Sequence, residues 1–161
     1  MEENQSNSQQ IEDILHEEKD ASFMLDVGRT KDKKLLLLIA NSKTTTEVKI
    51  IPSNEPMKKP QILYERKENV QYFVEHKNNF LYLIFSSSLN ETANYSIKKA
   101  PLSDPQDLQL IRQVDDSCSI EDGDLIGDNI ITYERKNSLP YIKIQNLDTQ
   151  ESKDIHLGNL F

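Results

Sequence analysis

The chain has 161 residues, enough for one ordinary core, with 36% hydrophobic residues, 29% charged residues and a formal net charge of −8. Lysines are scattered singly and in pairs, so no concentrated basic face is expected for phosphate, and nucleic acid is excluded as a partner. The longest apolar run, Leu35 to Ala40, is too short to span a membrane, Met1-Glu2-Glu3-Asn4 opens no secretory signal, and the lone Cys118 suits a reducing compartment, so a soluble, cytoplasmic protein is expected.

Residues 1–10 lack apolar anchors and read as a disordered tail. From Ile11 onward, short apolar stretches alternate with turn chemistry, and Ile, Val, Tyr, Phe and Thr dominate them. A short strand is expected near 13–17. Full strands are expected near 23–29, 34–40, 46–51, 61–65, 70–76, 80–86, 94–100, 108–113, 118–126, 129–135, 140–146 and 153–157. The fold class is all-β.

The strands repeat one script. Phe23–Val27 turns through Arg29 to Lys33 into Leu35–Ala40; Val70–Val74 turns at Lys77-Asn78-Asn79 into Phe80–Phe85; Ile120–Ile126 turns at Gly127-Asp128-Asn129 into Ile130–Tyr133. Third strands follow at Glu47–Ile50, Tyr95–Lys98 and Tyr141–Ile144, and fourth strands at Ile62–Tyr64, Leu108–Ile111 and Ile155–Leu157. Glu47 to Tyr95 is 48 positions and Tyr95 to Tyr141 is 46. Four strands at that period are the pattern of a β-propeller blade. Leu35–Ile39 and Phe80–Phe85 are apolar at successive residues, so both faces of each strand need cover, which neighbouring blades supply. An immunoglobulin-like sandwich of similar strand count is the competing fold, but it favours apolar–polar alternation. The expected architecture is a partial β-propeller of about three four-stranded antiparallel blades, at about 21–66, 68–114 and 117–158 of a domain covering 11–161. Three blades do not close a ring, so the two end blades should expose apolar faces.

Searches for chemistry yield no site. None of Gly28, Gly123, Gly127 and Gly158 belongs to a nucleophile elbow, and no Gly-rich phosphate loop exists. His16, His76 and His156 are far apart and read as structural or solvent-facing; Cys118 reads as an ordinary thiol. Asp115, Asp116, Glu121, Asp122, Asp124 and Asp128 crowd one stretch, but Glu121-Asp122-Gly123-Asp124 does not fit a calcium loop, and solvated turns are the simpler reading. The sequons at Asn4, Asn90 and Asn94 carry no meaning without a secretory signal. No catalytic, cofactor-binding or metal-binding residue and no cofactor is assigned.

Several ordered motifs carry a resemblance. Glu17-Glu18-Lys19-Asp20 with Phe23 and Val27-Gly28-Arg29-Thr30, Ser42-Lys43-Thr44-Thr45-Thr46-Glu47-Val48, and Val70 through Glu75-His76 with Phe80-Leu81-Tyr82 are three of them. Asn94-Tyr95 through Lys99-Ala100-Pro101-Leu102-Ser103-Asp104-Pro105 and Glu134-Arg135-Lys136-Asn137-Ser138-Leu139-Pro140 are the others. From about Ile11 to Leu157 the chain resembles the N-terminal propeller of the oligopeptidase B branch of the prolyl-oligopeptidase family of serine peptidases. Two departures stand out: Ser138 replaces the family's Gly, and His16 stands where an aromatic is usual. The resemblance implies a seven-bladed propeller capping an α/β-hydrolase domain that cleaves short peptides after Arg or Lys, the propeller excluding large folded substrates. It implies that the triad lies in the hydrolase domain, so no triad residue carries over to this chain. It implies as partners that domain, or the remaining blades, and short peptides in the complete enzyme. The expected role is non-catalytic gating and scaffolding, with Phe23–Val27, Val70–Val74 and Ile120–Ile126 lining the channel. Asp26, Glu75 and Asp124 would then be placed to meet basic peptides. The alternative is a free-standing interaction module without peptidase activity whose open blade edges pair with a partner strand.

Overall fold

A computed structural model describes residues 14–87, 95–115 and 117–157. The expected tail at 1–10, the sequons' Asn4, Asn90 and Asn94, and Asp116 and Gly158 lie outside these. Twelve strands form three four-stranded antiparallel sheets, each a meander in chain order. The first holds β1 (Met24–Arg29), β2 (Leu35–Asn41), β3 (Thr46–Pro52) and β4 (Gln61–Ile62). The second holds β5 (Gln71–Lys77), β6 (Phe80–Ser87), β7 (Ser96–Pro101) and β8 (Gln109–Gln113). The third holds β9 (Cys118–Ile126), β10 (Asn129–Lys136), β11 (Leu139–Asn146) and β12 (Ser152–His156). Three separate sheets exclude the two-sheet sandwich. Among the described residues there is no helix, and so none long and apolar enough to cross a membrane.

The tight hairpins follow from local chemistry. Asn78 and Asn79 both sit at positive φ between Lys77 and Phe80, as do Asn137 and Ser138 between Lys136 and Leu139. Two consecutive left-handed residues match the twist of the flanking strands, and asparagine tolerates that conformation better than other side chains. Ser138 does not share that tolerance, which gives the departure at this position a backbone meaning.

Two elements differ from expectation. Residues 14–20 form no strand; they run as irregular chain tied to the first sheet. Glu18 pairs with Arg66 through both oxygens (2.5 and 3.4 Å), His16 Nδ1 lies 3.1 Å from Lys49 Nζ, and the Arg66 guanidinium stacks 3.9 Å from the Phe23 ring centre. These side-chain ties replace a ladder. The fourth strand of the first sheet is also only two residues long; Leu63 follows it, fully buried, with its N–H donating to the Val48 carbonyl (3.0 Å).

The sheets stack face to face. β3 meets β5, while β9 packs on β5 and β6, so the second sheet is the middle layer. Leu35, Leu37, Val48, Ile50 and Leu63 of the first sheet meet Tyr72, Val74, Leu81, Leu83 and Phe85 of the second. Tyr82, Ile84 and Ile97 point from the opposite face of the second sheet to Cys118, Ile120, Leu125 and Ile130 of the third. Leu81 to Phe85 are therefore buried on both faces, as their unbroken apolar run requires. β2 has a covered face (Leu35, Leu37) and a half-covered one (Leu36, Leu38), because only one side has a neighbouring sheet. The free face of the first sheet adds Val27, 70% exposed, and that of the third includes Ile126, 56% exposed, with half-buried Ile131, Ile142 and Ile144.

Candidate functional site

The first strand of each sheet is an edge strand, and β1, β5 and β9 lie on the same edge of the stack. Glu75 and Asp124 occupy equivalent places, each two residues before its hairpin closes. The structure brings them together through Lys31 in the β1–β2 turn. The Lys31 main-chain N–H donates to Glu75 Oε2 (2.9 Å), and its ammonium lies 3.0 Å from Asp124 Oδ2. Burial pushes the Glu75 carboxyl above its ordinary value, and the Asp124 charge adds to this against the Lys31 hydrogen bond. The Lys31 ammonium is held above its ordinary value by its hydrogen bond and charge pairing with Asp124. Asp26 does not join them: its carboxylate accepts from the N–H of Val27.

A cavity of about 610 Å³ opens beside this cluster, with Phe73, Glu75, Asp122, Gly123 and Asp124 on one side and Leu37 and Ile39 on another. Gly123 is packed closely against the second sheet. A Cβ there would lie 2.6 Å from Ile84 Cδ1 and 3.1 Å from its Cγ2, so any larger residue would force the buried Ile84 side chain to move.

The remaining candidates are dispersed. His76 is buried in β5 with Nδ1 2.6 Å from Asp32 Oδ2, while His156 lies in β12, its ring 6.1 Å from that of Tyr141. The acidic stretch is divided among separate cations: Glu121 with Arg135, Asp124 with Lys31, Asp128 with Lys77, and Asp115 with Lys136. Among the described residues, no three His, Cys, Asp or Glu side chains gather as a metal site. Cys118 is buried with its sulfur 3.9 Å from the Tyr141 hydroxyl.

A polar cluster went unread in the sequence. Glu134, fully buried between the second and third sheets, accepts from Arg112, from Thr132 Oγ1 (2.5 Å) and from the Tyr141 hydroxyl (2.5 Å). Burial alone would raise its carboxyl; these three donors outweigh burial and hold it below the ordinary value. Its alternation with Ile130 and Thr132 on the covered face of β10 was the available signal.

Three stacked four-stranded meanders whose first strands share one edge define an arc of propeller blades. The chain belongs to the prolyl oligopeptidase N-terminal β-propeller family, whose model matches residues 4–160. It is 32% identical over 133 residues to a prolyl endopeptidase-like protein of Gallus gallus, covering 81% of this chain and 18% of that protein. It is 26% identical over 132 residues to Protease 2 of Moraxella lacunata, covering 81% of this chain and 19% of the relative. In fold it is similar to oligopeptidase B from Trypanosoma brucei with covalently bound antipain, in its closed form. The TM-score is 0.78 at 20% identity, over 91% of this chain and 22% of that one. The chain thus spans about one fifth of the length of these proteins.

Proposed function

We propose that this chain is a non-catalytic segment of an oligopeptidase B-like, seven-bladed propeller acting in the cytoplasm. Its inner edge forms part of the wall through which short basic peptides reach an α/β-hydrolase active site built from residues outside this sequence. The observation that carries this reading is the asymmetry of the stack. The middle sheet is buried on both faces, while the end sheets each keep one apolar face half-covered, as blades awaiting neighbours would. The carboxylates Glu75, Asp122 and Asp124 on the inner wall support the preference for cationic peptides.

Expression of the 161-residue chain alone tests the proposal. It should self-associate or bind a hydrophobic dye, lose both traits when co-expressed with the remaining blades, and show no turnover of an Arg-containing fluorogenic peptide. A monomer that unfolds cooperatively, binds no dye and is unaffected by other blades would establish a free-standing interaction module instead.

A further inference from the structure

Lys31 is built differently at its base and at its tip. Its main-chain N–H is fixed on Glu75 (2.9 Å). The next residue, Asp32, is fixed as well: its carboxylate meets His76 Nδ1 (2.6 Å) and accepts from Thr30 Oγ1 (2.7 Å) and the Lys34 N–H (3.1 Å). The base of the lysine is therefore held on the second sheet by two successive residues, Lys31 on Glu75 and Asp32 on His76. The tip is held by one contact, the pairing with Asp124, and 61% of the Lys31 side chain is exposed.

That contact joins sheets that share no strand pairing, because the second sheet lies between them. An exposed ion pair is too weak to hold sheets together, and the two apolar layers already do so. A firmly anchored base with a weakly held, salt-sensitive tip suits movement. The arm passes beside the 610 Å³ cavity, whose wall it shares with Phe73, Glu75, Gly123 and Asp124.

We infer that Lys31 is a reversible strap across the mouth of this cavity, closed when its ammonium sits on Asp124 and open when it swings into solvent. The strap stands on these contacts alone; its meaning for peptide passage rests on the gating reading above.

Thiol labelling tests it on the full chain, with the remaining blades present if folding requires them. Phe73, 37% exposed on the cavity wall, is replaced by cysteine and labelled with a maleimide, while buried Cys118 reports on folding. Lys31→Met and Asp124→Asn should each speed Phe73→Cys labelling by about two- to five-fold, the range set by losing one exposed ion pair. About 0.5 M NaCl should do the same in the Phe73→Cys chain and add nothing once Lys31 is methionine. Equal rates in all forms at both salt concentrations would overturn the strap. If a variant labels rapidly at Cys118 and is therefore misfolded, the salt arm on Phe73→Cys alone decides. Salt-dependent labelling together with peptide turnover in the complete enzyme that is indifferent to Lys31→Met would keep the strap and count against the gating reading.

Discussion

The junction between the first and second sheets and that between the second and third are solved with different chemistry. The first is filled by carbon. Leu63 plugs its outer end, and Tyr64, Tyr72 and Phe85 form an aromatic trio with ring centres 5.6 to 5.7 Å apart. The Tyr72 hydroxyl within it accepts from the Val48 N–H (3.0 Å), and its buried His76 imidazole sits at the hairpin end, where it meets the Asp32 carboxylate (2.6 Å). The second carries the buried Glu134 carboxylate with Arg112, Thr132 and Tyr141 at the corresponding depth. The apolar junction tolerates changes that keep volume, whereas the polar one tolerates almost none that remove a single partner, because a buried charge left alone is not compensated.

Glu134→Ala breaks this contrast most severely. It strands the Arg112 guanidinium, and urea unfolding should show a loss of about 3–5 kcal/mol. Replacing the group as a whole, with Arg112→Met, Glu134→Leu and Tyr141→Phe together, should recover most of that loss. If the triple variant is as unstable as the single one, the network holds the junction by more than charge compensation. On the apolar side, Leu63→Ala opens a cavity beneath the aromatic trio and should cost about 2–5 kcal/mol in the same assay. Gly123→Ala overpacks the second junction against Ile84, with an expected loss of about 1–3 kcal/mol. Ile84→Val removes the clashing Cδ1 atom and should restore part of it.

Acid should separate the junctions. The Glu134 carboxyl is held below its ordinary value, so its stabilisation is present above about pH 4.5 and is lost as pH falls through the lower folded-state value. Glu18, held down to about 2 mainly by its hydrogen bond from Arg66, behaves likewise for the chain entering the first sheet. Glu75 has the opposite sign: its carboxyl is raised, so its ionisation weakens the fold as pH rises through the folded-state value. The stability difference between wild type and Glu134→Gln should therefore shrink between about pH 6 and about pH 3, while Glu75→Gln should gain on wild type as pH rises over that range. The smallest expected change is Ser138→Gly. Ser138 sits at φ 68°, where glycine has no steric penalty, and thermal unfolding should show a gain of up to about 1 kcal/mol.

The strands, their three-fold script and the blade type were legible because they depend on periodicity and turn chemistry, both local properties. The apolar runs Leu35–Ile39 and Phe80–Phe85 read alike, yet Leu81–Phe85 is buried on both faces while β2, in an end sheet, is fully covered on one, a difference that stacking order alone decides. The strand expected near 13–17 failed for a non-local reason. Apolar Ile14 and Leu15 suggested pairing, but the segment is held by the side chains of His16 and Glu18 against partners 33 and 48 residues away. The cluster of Lys31, Glu75 and Asp124 was half legible. Glu75 and Asp124 stood at strand ends, while nothing local marked Lys31 as the residue that reaches both.

Composition and pattern thus determined an all-β chain of four-stranded repeats with apolar faces to cover, because hydrophobic period and turn residues act within a few positions. Tertiary structure decided which carboxylates would meet which cations: Glu134 with Arg112 across one junction, and Asp124 with Lys31 across a whole intervening sheet. Such pairs are set by how sheets stack, and a charged residue in a strand carries no local mark of whether its partner will be water or another sheet.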